Sequence, residues 1–288
     1  MENKAKFFIQ WLGGKTKLIK EIENYLPTDL NKKKYTYVEP FVGGGSMLFY
    51  LLQKYPNINK AIINDLNSDV INCYKAVKEK PFLLLFYLET IKYEISLLNK
   101  EDLEKYYYQK RDIFNKREVD SIESAAIFIF LNHFCYGGVY RVNKKGEFNV
   151  GFNHIKKSTS FLFDRDVILE DSLLLKRVKI LNSDFYKTLR YANEDSFYFL
   201  DPPYHRNFSE KVNYYTKKGF NDLDQFRVKK FLEVLNSKKA KFILTNSNTD
   251  FIYELYKNYD IIELKEATNL TFRKSKQQKV ISILVKNY

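Results

Sequence analysis

A chain of 288 residues has room for one large domain or two ordinary ones, each with a proper core. Its 48 Lys and Arg against 35 Asp and Glu give a formal net charge of +13, which points to a polyanionic partner, although a lysine-heavy codon bias would produce the same excess. Cys73 and Cys135 stand far apart with no CxxC or Cys/His spacing, which argues against a disulfide scaffold or structural zinc and fits a reducing cytoplasm.

No apolar leader-like stretch precedes "KFFIQW", and "PFLLLFYL" is too short to span a bilayer, so a cytoplasmic protein with no membrane partner is expected. "FIQWLGGKTKL" holds the single tryptophan, Trp11, then two glycines and Lys15 at the start of an amphipathic helix. An indole face suits a sulfonium or an adenine ring, and glycines beside it would let a ligand in; a lone Trp also serves as core. "YTYVEPF" (35–41) reads as a strand by its aromatic and β-branched content. Gly43-Gly44-Gly45 and the apolar helix "SMLFYLLQKY" follow it. Small residues between a strand end and a helix start allow close approach of a ligand, or simply a tight turn. The stretch lacks both the GxGxxG spacing and the Lys-Ser/Thr of a phosphate loop.

"KAIINDL" (60–66) is a second strand ending on Asp65, with Asn67 placed to cap the next helix. An acidic residue about 20 positions past a glycine turn can accept hydrogen bonds from a ribose diol; the plainer role is a charge at a helix N-terminus. Residues 73–165 break the rhythm. "PFLLLFYLETIKYEISLL", "LEKYYYQKRDIF" and "SAAIFIFLNHF" read as helices, and "YGGVYRVNKKGEFNV" as a hairpin about a Lys-Lys-Gly turn. Strand-like runs resume at 178–185, 196–203, 240–247 and 279–287. Short apolar strands alternating with helices indicate an α/β fold with a mostly parallel sheet, and the helical block indicates an inserted second domain. The expected division is 1–72 with 166–288 for one domain and 73–165 for the other.

"FYFLDPPYHRNF" (197–208) places Asp201 at the mouth of a buried strand. Pro202 and Pro203 fix φ and donate no ladder hydrogen bonds, so Tyr204 hangs from a stiff arm. A rigid acceptor pair beside an aromatic plate suits a flat ligand with an NH2 group; a strand-ending turn is the alternative. "HRNFSEKVNYYTKKGF" and "FRKSKQQK" are basic loops suited to phosphate contacts, or to plain solvation. His133, His154 and His205 show no ligand spacing, and no metal is expected.

"WLGGK", "EPFVGGGS", "NDLN", "YGGVYRVNKKGEFNV", "DPPY" and "LTNS" occur in the order found in Dam-type, alpha-class DNA N6-adenine methyltransferases, which the chain resembles from its first strand-like segment nearly to its end. The resemblance implies a Rossmann-like S-adenosylmethionine domain carrying an inserted target-recognition domain. It implies a cofactor set of Trp11, Lys15, Phe41, Gly43, Gly45, Asp65, Asp184 and Asp201, with Asp65 on the ribose and Asp184 toward the adenine. Asp201, Pro202, Pro203 and Tyr204 become the catalytic motif; Gln10, Tyr136, Arg141 and Asn143 become the DNA-reading residues. The implied partners are double-stranded DNA and a cognate restriction endonuclease. Cytosine-N4 or RNA-adenine methylation and a catalytically silent specificity subunit are the rival readings. GATC is the first expected target, but Gln10, Gly137 and Gly151 stand where such relatives carry Lys, Asn and Pro.

Overall fold

The computed structural model describes residues 8–11, 18–154, 162–205, 219–265 and 281–288. In chain order these form α1 (Ile19–Glu23), β1 (Thr36–Glu39), α2 (Ser46–Lys54), β2 (Lys60–Asp65), α3 (Ser68–Glu79), α4 (Pro81–Ser96), α5 (Lys100–Lys116), α6 (Ser121–Phe134) and α7 (Arg165–Leu175). β3 (Val178–Asn182), β4 (Ser196–Leu200), α8 (Asp222–Ser237), β5 (Lys241–Ser247), α9 (Asp250–Tyr256), β6 (Asp260–Lys265) and β7 (Ile281–Lys286) complete it.

The seven strands form one sheet in the order β3-β2-β1-β4-β5-β7-β6. β1 through β5 pair in parallel, whereas β7 runs antiparallel to both β5 and β6. This is the expected α/β, Rossmann-like architecture. Strand order reverses between β1 and β4, and in open α/β sheets the crevice at the carboxyl ends of such strands is where ligands bind.

The strand sequences explain the two-sided burial. All five residues of β4 are buried, as a parallel strand covered on both faces requires. Alternate residues enter opposite cores. Tyr37, Ile63, Phe197, Phe199 and Ile243 join the larger cluster with α2, α3 and α7. Val38, Ile62, Tyr198, Leu200 and Leu244 join the smaller one under α8 and α9. Asn67 caps α3 by accepting from the amides of Asp69 and Val70, as its position in the sequence suggests.

Two expectations change in detail. β6 was not among the expected strands. The segment 136–150 doubles back as a hairpin, but its pairing is reduced to single bridges, Val142 with Phe148 and, just outside it, Cys135 with Phe152. The amide bonds Asn143 N to Glu147 O and Asn149 N to Arg141 O hold its arms together. Residues of α4, α5, α6 and the hairpin belong to the same apolar cluster as α3, which runs unbroken through position 73. Among the described residues no helix is long and apolar enough to cross a membrane.

One buried carboxyl lies away from the strand ends. Asp171 on α7 is 1 % exposed, and its Oδ2 meets no hydrogen-bond partner among the described residues. Burial, with a smaller push from Glu170, raises its pKa from an ordinary 3.8 to about 8. A raised carboxyl contributes stability that is fully present below the unfolded value and is lost as pH rises through the folded one. The window is therefore pH 3.8 to about 8. We expect the stabilisation by Asp171→Asn to grow by at least about 2 kcal/mol between pH ~5 and ~8 in urea unfolding. An equal difference at the two pH values would show that the carboxyl is not held protonated.

Candidate active site

The glycine turn after β1 is shaped first by protein contacts. Gly43 (φ 45°) and Gly45 (φ 72°) are left-handed, so glycine is favoured at both. A Cβ on Gly43 would lie 2.7 Å from Trp11 Nε1, and one on Gly45 would lie 2.3 Å from Tyr74 Oη. Trp11 thus covers the turn while Tyr74 Oη donates to Gly43 O at 3.0 Å. Asp65, at the end of β2, accepts from Gly43 N at 3.0 Å and from Asn67 N at 2.9 Å. Its carboxylate ties the turn to the start of α3. Burial pushes the Asp65 carboxyl up, and the backbone donors pull partly against that.

Two further residues act at these strand ends, and the sequence alone does not mark either. Asn64 is buried and donates to Pro40 O and Ser183 O, at 3.0 and 2.9 Å. It also accepts from Ser183, so one side chain staples the ends of β1, β2 and β3. Glu39, 3 % exposed, ends β1 and accepts from Tyr37 Oη at 2.8 Å. Burial pushes its pKa well up, reinforced by the neighbouring carboxylates Asp201 and Asp65. Three acidic groups thus gather where β1, β2 and β4 end.

The DPPY arm leaves β4 beside this group. Thr245 Oγ1 donates to Asp201 Oδ1 at 2.6 Å, and Gln225 Nε2 donates to Pro203 O at 2.9 Å. His205, the next residue, is held at both backbone atoms: its amide donates to Asn246 Oδ1 and its carbonyl accepts from Ser247 Oγ. Its ring stacks on Phe251 at 4.6 Å. That explains a histidine here without a catalytic role.

Asp184 caps the short 3-10 helix beginning at Phe185, accepting from Tyr186 N at 3.0 Å, and pairs with Arg227 at 2.7 Å. Phe41 packs against Phe185 and meets Phe220 edge-on, forming an aromatic wall beside it. Through Asn64 and Ser183, the Asp65 and Asp184 strand ends are held side by side. Lys15 and the basic segments 206–218 and 272–279 lie outside the described residues.

The residues expected to read DNA gather on a second surface, which residues 10 and 11 join to the first. Trp11 stacks on Tyr140 with centroids 5.8 Å apart, and Tyr140 Oη donates to Asp69 Oδ2 at 2.8 Å. Arg117 grips the same Asp69 at both oxygens, at 2.6 and 3.0 Å. The amide of Gln10 donates to Asn132 Oδ1 at 2.8 Å, while its side chain crowds Gly138. Tyr136 is 69 % exposed at the tip of a tight turn where Gly137 is left-handed (φ 71°). Arg141 is exposed and braced by Asn149: Nε donates to Oδ1 at 2.9 Å and Nη2 to the carbonyl at 3.3 Å. Tyr136, Val139, Arg141, Val150 and Gly151 line a cavity of ≈ 380 Å³. Asn143 is engaged inside its own turn, accepting from Lys145 N and Glu147 N and donating to Glu147 Oε2. Those bonds explain an asparagine at the start of the turn.

Comparison with known proteins shows the family. The family model of the D12 class N6 adenine-specific DNA methyltransferase matches residues 11–270. The Type II methyltransferase M.MjaIII of Methanocaldococcus jannaschii is 42% identical over 292 residues, covering 99% of each chain. The Type II methyltransferase M1.LlaDCHI of Lactococcus lactis is 31% identical, over 98% of this chain and 95% of its own. The DNA adenine methylase of Haemophilus influenzae is 29% identical, over 98% and 93%. The DPPY arm at the switch point of the sheet, a glycine turn closed by Asp65 and a family match over nearly the whole length lead to one assignment: the chain belongs to the D12 class of N6-adenine-specific DNA methyltransferases.

Proposed function

We propose that the protein transfers a methyl group from S-adenosylmethionine to N6 of an adenine flipped out of duplex DNA. The observation that carries this reading is Asp201, anchored by Thr245 at the end of β4, beside the strand-order reversal and next to the Asp65 and Glu39 carboxyls. That donor set suits the cofactor. Clustered carboxyls favour a cationic sulfonium, and Asp65 stands where a ribose diol would be held. Trp11, Phe41, Gly43, Gly45 and Asp184 supply walls and close approach, with Lys15 assigned to the same set. When bound, the sulfonium supplies an electrophilic methyl group.

The chain's own residues prepare the amine. The N6 lone pair of adenine is delocalised into the ring and is a poor nucleophile. Asp201 and the Pro202 carbonyl each accept one N6 hydrogen bond, which favours the pyramidal nitrogen needed for attack and stabilises positive charge as it develops. Pro203 keeps the arm stiff, and Tyr204 stacks on the base, which is out of reach while it remains in the duplex.

Residues 73–165 are assigned to target recognition and the rest to methyl transfer. Gln10, Tyr136 and Arg141 face the DNA on this reading, Tyr136 as an exposed wedge. GATC is the first candidate target. The two relatives named Type II methyltransferases support a role beside a cognate restriction endonuclease, and the protein is assigned to the cytoplasm on the same reading.

Methylation sequencing of DNA from a methylation-free host expressing the chain tests the reaction and reports the site together. N6-methyladenine at one short motif is the expected result; unmodified adenine would overturn the reading. Titration with S-adenosylmethionine tests the cofactor site separately. Asp65→Ala should weaken binding roughly tenfold or more, because charge-assisted diol contacts and the turn's anchor are lost together. Unchanged affinity in the folded variant would move the ribose site elsewhere.

A further inference from the structure

The "LTNS" stretch at the end of β5 has no role in the reaction as described so far, yet three successive side chains from it reach the DPPY arm. Thr245 holds Asp201, Asn246 and Ser247 hold the backbone of His205, and Asn246 Nδ2 donates to Gln225 Oε1 at 3.0 Å. Gln225 in turn holds the Pro203 carbonyl. Thr245 and Asn246 are fully buried and Gln225 is 1 % exposed, so water has little access to replace a lost bond.

We propose that Thr245 is a positioning residue for methyl transfer, fixing the plane of the Asp201 carboxylate so that Oδ2 meets the target amine. This rests on the reading of Asp201 as the N6 acceptor. The last torsion of an aspartate is broad and roughly two-fold, so the backbone alone does not set the carboxylate plane. A hydroxyl has one proton to donate, and at 2.6 Å this one is committed to Oδ1. Threonine is stiff at χ1, which makes the anchor itself rigid. The partners behind it act in the same direction. With the Pro203 carbonyl held on Gln225, it is withdrawn from competition for the amine, and the acceptor pair reduces to Asp201 Oδ2 and the Pro202 carbonyl. The arm is locked by side chains of β5 and α8.

The experiment is single-turnover methylation of a duplex containing the target site by Thr245→Val, Thr245→Ala and Thr245→Ser. Dissociation constants for the duplex and for S-adenosylmethionine are measured alongside, with Asp201→Ala as reference. A small misplacement of a catalytic group can cost about 10²-fold. We expect the Val and Ala variants to lose roughly 10- to 100-fold in the methylation step, with both dissociation constants within about threefold of wild type. Ser should recover most of the rate. A residue serving only stability would alter melting and binding without this separation, and Ala keeps the test valid if Val folds poorly. A wild-type rate in the hydroxyl-free variants, or a Ser variant as slow as Ala, overturns the positioning role. If Asp201→Ala itself methylates at the wild-type rate, the acceptor reading fails instead.

Discussion

Asp201→Ala abolishes methyl transfer and leaves duplex affinity within about threefold of wild type: this is the largest effect expected of any single substitution here. Removing one preorganised partner of a developing charge costs on the order of 10² or more in rate. The loss is expected to be confined to chemistry because the proposed phosphate contacts are assigned to basic residues elsewhere, whereas Asp201 sits at the strand end with one oxygen already held by Thr245. A second consequence follows from that hydrogen bond. Thr245 is fully buried, so the alanine variant leaves its hydroxyl without its acceptor and should lose roughly 1–3 kcal/mol of stability. Activity is therefore measured well below the variant's melting point, in single turnover with saturating duplex and methyl donor. A rate within a few-fold of wild type would remove Asp201 from the chemistry.

The parts of this protein legible in its sequence are those written in consecutive residues. A run such as 197–200 can be read as a strand because burial on both faces leaves no charged position to interrupt it. β6 was harder to find, since its partner β7 begins only at Ile281, and no tight turn in the sequence announces the pairing. The weakened hairpin has a similar cause: Asn143 and Gly146 close its turn, but its side chains Tyr140, Val142 and Phe148 are drawn into the core against α5 and α6, leaving little ladder. At the site, Asp65 and Asp201 could be named because each ends an apolar strand. Their supports could not. Thr245 is 44 positions from Asp201, and Gln225 is 22 from Pro203; only the parallel pairing of β4 with β5, and α8 packed against it, brings them together. Glu39 was hidden in plain view inside "EPFVGGGS", where the glycines drew attention to the turn rather than to the buried acid before it.

Arg141→Ala should relax discrimination at one guanine of the target by roughly 1–3 kcal/mol while non-specific binding and its salt dependence change little. The geometry makes this sharper than a general statement about a basic residue. Asn149 occupies the Nε and Nη2 edge of the guanidinium, holding its plane and leaving the terminal Nη1 and Nη2 donors for the O6 and N7 of guanine. The same planar fork can also meet a phosphate bidentately, so the effect on base preference, and not the bracing, separates the two roles. Beside it, Gly151 is required neither by backbone conformation nor by space: an added Cβ would meet only Tyr108 Oη at an ordinary 3.7 Å. Glycine there leaves open the cavity lined by Tyr136, Val139, Arg141 and Val150. Discrimination on the Arg141 side is therefore expected to hold, and any departure from GATC is expected first at the neighbouring base or at the base assigned to Gln10. Glutamine pairs most naturally with adenine N6 and N7. Methylation profiling of wild type and Arg141→Ala on a randomised duplex library measures both effects. An unchanged base preference in the variant, accompanied by a reduced salt slope, would show that Arg141 binds phosphate and that the reading surface lies elsewhere.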